Sequence, residues 1–427
     1  MKNKYLKNQK LSLALFLSLA ILYAIIYMTK NCYSAAMVRL VEEGVLTKSQ
    51  TGTISAMFYL IYAPFQILGG MAADKYSPYK LITIGFIGAA VANVLITLNS
   101  NYYFMMAVWA LNGIVQFGVW PGVFKIVASC LAPEHRYNGV FYINFSSTLG
   151  LIMSYLLAGS VSGWKMNFTV SAIVLAVCSV YWIVAGKFFD IKMVKNENID
   201  HTAPNVTEQK TERNKKDAGF AKVMITSGMC FLLPLTVLQS VFFLGVPSVT
   251  PSMLAESYDG VSSAVASVIT VIPIVLGVVG KLLIKCIYRK KVYNECMTIM
   301  ICLMSLLPIF GVMLFVGKIN VWLMLLMVSL VVMISSASAT IPFSHMTMRF
   351  SKMGKSATVS GLLNATTSLG IVVANYVSPR VADAFDNNWV PVVAVWMAFA
   401  AVSVLLAFIS YFFWKKFIKS DQCSSIE

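Results

Sequence analysis

Lys30 stands inside an otherwise uncharged run that extends roughly from Leu11 to Met37. A lysine at the centre of a bilayer-spanning helix costs about 2.5 to 3.5 kcal/mol on insertion scales, so its helix is expected to turn it toward a protein interior or a wet cavity. Tyr23, Tyr27, Lys30 and Ser34 fall at i, i+4, i+7 and i+11, one stripe of a 3.6-residue helix. In the next run Ser55, Tyr59, Tyr62 and Gln66 share a face in the same way. Hydroxyls and an amide beside an ammonium are the groups that hold a small anion in a mostly dry pocket. The competing reading has Lys30 snorkelling toward the outer headgroups near Arg39.

Two further residues have chemistry without a settled role. Lys125 lies about six residues, roughly 9 Å, from the cytoplasmic end of its run, where it serves either a substrate or the inner surface, as an anchor or a partner for Asp74. His345 follows Pro342 near a helix end and is either a ligand or proton site or a structurally satisfied imidazole. None of the 17 acidic residues lies deep in an apolar run. Glu42, Glu43, Glu256, Asp259, Asp383 and Asp386 are at outer edges and the rest are cytoplasmic. A buried-carboxylate proton relay is therefore disfavoured, and anion exchange needs none. No Ser/His/Asp set, glycine-rich phosphate loop or paired in-membrane carboxylates can be assembled, which argues against an enzyme. No Cys or His spacing suggests a metal, and no cofactor is implied.

These residues must be positioned by membrane helices. Of all residues 58% are hydrophobic and only 12% charged, with mean hydropathy +0.76, where a soluble domain spends about a quarter of its positions on charge. Twelve apolar runs approach or exceed the ~20 residues that span a bilayer core. Six lie before a polar stretch, 190–222, and six after it. The expected organisation is an N-terminal six-helix bundle (1–189), a cytoplasmic linker (190–222) and a C-terminal bundle (223–427) with a short tail. Asn144-Phe-Ser-Ser-Thr-Leu-Gly150 and Asn364-Ala-Thr-Thr-Ser-Leu-Gly370 repeat one pattern, and Pro121 is echoed by Pro342 at nearly the same interval. The fold expected is an all-α membrane protein of twelve helices in two pseudo-symmetric bundles. The Ser/Thr clusters of the repeat either line a cavity or let helices approach closely, and close packing is the favoured reading.

Lysine and arginine set the expected orientation. Of 33 basic residues, the outer loops hold Arg39, Lys48, Lys165, Lys318 and Arg380, Lys30 and Lys125 lie in runs, and the remainder are on the cytoplasmic side together with both termini. A net charge of +16 spread over every inner loop is a topology signal, whereas a nucleic-acid site would be clustered. The basic start leads into a run too long for a signal-peptide core, so the first run is expected to be kept as a helix.

Gly69, Gly70, Asp74 and Lys75, followed by Pro78 and Lys80, resemble the G-x-x-x-D-[RK] loop between helices two and three of the major facilitator superfamily. The second-half copy, Gly280 to Lys291, keeps the basic residues without the aspartate. Tyr27 with Lys30, the segment Leu111 to Gln116 with Trp120, Pro121 and Lys125, and the Asn144 segment make the first half similar to the organophosphate:phosphate antiporters, with the anion:cation symporters next. The resemblance implies a twelve-helix carrier in a bacterial plasma membrane, alternating between inward-open and outward-open states around a site between its halves, and a monomer is expected because each pair of halves encloses its own pathway. It also implies that Lys30 takes the place of the family's substrate-binding arginine and that Tyr23, Tyr27 and Tyr62 line the cavity, with Gln116, Trp120, Asn144 and Asn364 as further candidate binding residues. Where phosphate carriers have a second arginine this chain has Phe243, and where glycerol-phosphate carriers have a lysine it has Gln66.

One lysine leaves a phosphate dianion undercompensated, and an ammonium lacks arginine's planar fork. The expected cargo is a less charged molecule such as a sugar acid, another small carboxylate or a polar metabolite, with Phe243 and the tyrosines packing on its body, and a sugar phosphate is the remaining alternative. A reading of another class is a transporter-like sensor that binds a metabolite and signals to a cytoplasmic partner, against which stands the short stretch after Lys419.

Overall fold

Apolar side chains all round a helix leave nothing to alternate, so the long uncharged runs fold as helices that satisfy their own backbone and bury or expose apolar faces to lipid. The computed structural model describes residues 4–195, 224–291, 294–316, 320–346 and 356–423. The side chains of Asp74, Lys75, Asn144 and His345, and most of the stretch 190–222, lie outside the described set. The first half comprises α1 (Gln9–Glu42), α2 (Lys48–Lys75), α3 (Pro78–Leu98), α4 (Tyr102–Val115), α5 (Val119–Cys130), α6 (Pro133–Ser160) and α7 (Trp164–Lys192). The second comprises α8 (Met229–Ser240), a π-helical segment Val241–Gly245, α9 (Val246–Ser257), α10 (Ser263–Ile269), α11 (Val271–Lys291), α12 (Glu295–Met304), α13 (Leu306–Val316), α14 (Val321–Thr340), a second π-helical segment Ile341–Met346, α15 (Ser356–Ala384) and α16 (Val390–Cys423).

Several of the expected spans are broken pieces end to end: α4 with α5, α8 with α9, α10 with α11 and α12 with α13. Joined in this way, the α-helices make twelve units among the described residues, the number expected. Among the described residues, nine helices are long and apolar enough to cross a membrane. Helix α7 continues through Lys192, past the expected bundle boundary. A two-residue antiparallel pair, Lys4–Tyr5 (β1) with Val194–Lys195 (β2), adds a scrap of sheet to the expected all-α chain. It brings the start of the chain, the exit of α7 and the Cys130 end of α5 to one end of the molecule, where Leu6 N–H donates to Cys130 O at 2.9 Å.

Prolines free backbone carbonyls at the α4–α5 break and inside α9 and α15. Pro121 has no N–H to give Phe117 O, Pro251 none for Pro247 O, and Pro379 none for Asn375 O. Each freed carbonyl meets another helix. Gly69 of α2 packs so tightly on Phe117 O that a Cβ there would collide with it, and Gly52 packs in the same way on Asn375 O. Tyr155 Oη donates to Pro247 O at 2.9 Å.

Internal duplication is visible in these close approaches. Gly69 on Phe117 O is matched by Gly280 of α11 on Met333 O of α14. Gly150, closing the first N-x-[ST]-[ST]-[ST]-L-G segment, packs on Ala24 O and Tyr27 of α1, and Gly370, closing the second, packs on Val237 O and Ser240 of α8. The repeated motif is therefore a helix-crossing device in both halves, as small residues are in lipid. Its hydroxyls fit that role: Thr366 bonds Thr236 at 2.8 Å as well as its own helix, and Thr367 bonds Asn364 O.

Candidate functional site

Asn8 caps α1, and a capping box between Thr47 and Gln50 starts α2, so the two helices enter as a fixed antiparallel pair. Their facing stripes meet around Lys30, which is 7% exposed. Its Nζ lies 4.3 Å from the centre of the Tyr62 ring, 4.7 Å from Tyr27, 5.2 Å from Tyr59 and 5.9 Å from Phe58. A desolvated cation over an aromatic face gains about 0.5 to 2 kcal/mol per ring. Set against an insertion cost of about 2.5 to 3.5 kcal/mol, the cage offsets much of the burial without neutralising the charge. Lys30 has no carboxylate and no hydrogen-bond acceptor among the described residues.

The cage is itself braced. Tyr59 Oη donates to Asn31 Oδ1 at 3.0 Å while Asn31 Nδ2 donates back to Tyr27 O at 2.7 Å, joining α1 to α2. Gln66 Nε2 donates to Tyr62 Oη at 2.8 Å, which leaves the Tyr62 hydroxyl hydrogen free to donate elsewhere. Tyr27 Oη has no partner among the described residues. Phe58 stacks on Tyr62 with ring centres 5.5 Å apart, and Tyr23 leans on Tyr27 and on Trp120 of α5 at 4.9 Å. An ammonium, two available hydroxyls and aromatic walls form an anion-binding corner.

Beyond the cage, a polar chain crosses from one half to the other. Ser34 bonds Ser55 at 3.2 Å, Asn375 Nδ2 of α15 donates to Ser55 at 2.8 Å, and Ser248 of α9 donates to Asn375 Oδ1. Toward the α1–α2 turn the seam tightens further. Arg380 donates to Thr53 at 2.8 Å, and Asp383 accepts from Ser49 N–H at 2.9 Å at the start of α2. Lys48, 4% exposed, pairs with Glu256, bonds Asn387 Oδ1 at 2.7 Å and lies 3.8 Å from Asp383. Trp389 Nε1 donates at 2.7 Å to the same Glu256 oxygen, Oε2. The molecule is sealed at this end.

The remaining expected residues are distributed more widely. Lys125 donates to Ala73 O at 2.6 Å, near the C-terminal end of α2, where carbonyls attract cations. Gln116 is buried at the α4–α5 break and donates to Asn112 at 2.8 Å. Phe243 lies in the first π-helical segment and, by the matched Gly150 and Gly370 crossings, comes level with Lys30 in the other half. Asn364 is half-buried on α15, and Gly70 has open space beside it. Asn31, Phe58 and Asn375 were not legible as site residues. Asn31 sits off the Lys30 stripe, and Asn375 belongs to the cage's surroundings only through contacts more than 300 positions apart.

Among solved structures, the nucleoside transporter NupG superposes with a TM-score of 0.66 at 16% identity, covering 94% of this chain and 99% of that one. The sequence profile of the Major Facilitator Superfamily matches residues 19–375, and the chain belongs to that superfamily. Among curated relatives, the membrane sensor protein UhpC of Salmonella typhimurium is 23% identical over 35% of each chain. The hexuronate transporter of Bacillus subtilis is 26% identical over 64% of this chain and 63% of that one. A probable hexose phosphate transport protein of Chlamydia muridarum is 22% identical over 51% of each. The matched region thus spans between about a third and two-thirds of these relatives' lengths.

Proposed function

We propose that this protein is a secondary active carrier of small organic anions that works by alternating access between two six-helix halves, residues 1–189 and 223–427, tethered by the 190–222 linker. The observation that carries this reading is Lys30: a buried cation, caged by rings and hydroxyls, with no acidic partner among the described residues and placed one helical turn from the Ser34–Ser55–Asn375 seam. Such a group is stabilised most by an anion that arrives and leaves. The named relatives support the class, one a hexuronate transporter and another a probable hexose phosphate transport protein. With the basic residues taken as inner, the sealed α1–α2 end faces outward and the chain termini are cytoplasmic. Exchange of one anion for another is the favoured coupling.

Thermal-shift screening of purified wild type and Lys30→Ala against sugar acids, small carboxylates, phosphate esters and neutral sugars tests the site. A ligand at about 100 times its dissociation constant adds roughly 2.7 kcal/mol. Stabilisation of the wild type alone by an anion supports the reading, and equal or absent stabilisation of both sinks it. The similarity to a membrane sensor favours one second reading, in which the same site reports a metabolite. Reconstituted vesicles separate the two: counterflow of labelled anion marks a carrier, and binding without flux marks a sensor.

A further inference from the structure

Lys281 was counted with the basic residues of the inner loops, yet it lies within the continuous helix α11, ten residues before its end. Its half-buried side chain lines a crevice between the two halves. Thr148 and Leu151 of α6 form one wall, and Phe243 and Leu244 of the π-helical segment with Ser336 of α14 form the other. Gly280, immediately before it, is pinned against Met333 O, which fixes the direction in which the lysine leaves α11. No carboxylate and no hydrogen-bond acceptor pairs with Lys281 among the described residues. The other polar side chains lining the crevice are those of Thr148 and Ser336.

We infer that Lys281 is a second anion-binding group, on the opposite half from Lys30, that meets a second negative charge on the transported molecule. This rests on the anion-carrier reading and revises the expectation of a less charged cargo. The placement is consistent with a shared ligand. Gly139 lies beside Phe16 and Gly150 beside Ala24 and Tyr27, so α1 and α6 run in parallel and Lys30 comes level with about residue 154 of α6. Gly159 lies against Ala264 and Val268, and Thr148 shares the crevice with Gly277 and Val278, so Lys281 comes level with about residue 144. Ten helical residues separate the two levels by about 15 Å along the axis. In this reading a small molecule with an anionic group at each end meets Lys30 with one group and Lys281 with the other. Phe243, level with Lys30 but apolar, then packs on the ligand's body while the second charge is met further along the crevice.

The test is calorimetric titration of the purified full chain with glucuronate and glucarate, six-carbon acids that differ in having one carboxylate or two. Wild type is expected to bind glucarate more tightly. Lys281→Gln is expected to weaken glucarate about tenfold or more while changing glucuronate by less than about threefold, with Lys281→Arg restoring most of the difference. Lys281→Met is the alternative if the glutamine variant does not fold. An unchanged preference between the two acids in Lys281→Gln or Lys281→Met overturns the assignment of Lys281 and leaves the Lys30 site standing. Failure of wild type to bind either acid, or binding of both unaltered by Lys30→Ala, counts instead against the anion-carrier reading, and the inference falls with it.

Discussion

Lys30 and Lys48 are almost equally buried, at 7% and 4% exposure, and yet their surroundings are opposite in kind. Lys48 has Glu256, Asp383 and Asn387 within reach and the Trp389 ring beside it. Lys30 has four ring faces and, among the described residues, no carboxylate. A cation whose charge is already met inside the protein serves as a fastening between α2, α9 and the end of α15. One whose charge is only softened by quadrupoles remains able to attract an anion. The difference separates a lock from a binding site using the same side chain some 18 positions apart in sequence.

Breaking the lock should have the largest effect. Lys48→Met leaves Glu256 desolvated beside Asp383, and removal of one partner from a buried pair costs about 3 to 5 kcal/mol. The expected result is a lower melting temperature or a population opened at the α1–α2 end, read by thiol labelling of a cysteine introduced at Ser49. Glu256→Gln in the same chain should recover part of the loss, because the stranded charge is then gone. If the double variant is no better than the single one, the ion pair is not what closes this end.

Lys30→Gln should behave in the contrary way. Anion affinity is expected to fall by about 10- to 100-fold, the worth of a charge-assisted hydrogen bond, while the melting temperature without ligand holds or rises. A large loss of stability in the absence of ligand would erase the contrast between the two lysines and return Lys30 to a structural role. A third change strikes the seam without touching charge. Gly52→Val places a branched side chain where Asn375 O and the Pro379 ring already fill the space. Overpacking of about 1 to 3 kcal/mol should hold the sealed end open, raising the same thiol accessibility while leaving anion affinity of the open form near its starting value.

The smallest effect sharpens the site. Tyr62→Phe keeps the ring under Lys30 and removes only the hydroxyl that accepts from Gln66. Anion binding should weaken by about two- to tenfold, matching a net hydrogen bond of about 0.5 to 1.5 kcal/mol. No change in affinity would mean that the tyrosine serves as a wall alone.

The membrane setting, the helical class and the duplication were legible because each rests on local pattern. Unbroken apolar runs admit only helices in lipid, and the repeated N-x-[ST]-[ST]-[ST]-L-G segment marks the same helix crossing wherever it occurs. The Lys30 stripe was legible for the same reason, since 3.6-residue spacing places Tyr27 beside Lys30, and Tyr62 beside Tyr59, without reference to the rest of the chain. Lys281 was less legible: charge counting grouped it with the cytoplasmic basic residues, although its own apolar run already reached Ile284 and the structure places it within α11.

Residue type and spacing alone dictated which helices form and which faces carry polar groups, because those depend on backbone hydrogen bonding and the cost of charge in lipid. Which face meets which was decided in three dimensions. Asn375 reaching Ser55, Asp383 reaching Ser49 and Glu256 reaching Lys48 join positions from about 200 to more than 330 residues apart. Nothing in a helical period encodes such partners. They are chosen when two halves dock, and the docking is set by carbonyls that prolines release and by glycines small enough to approach them.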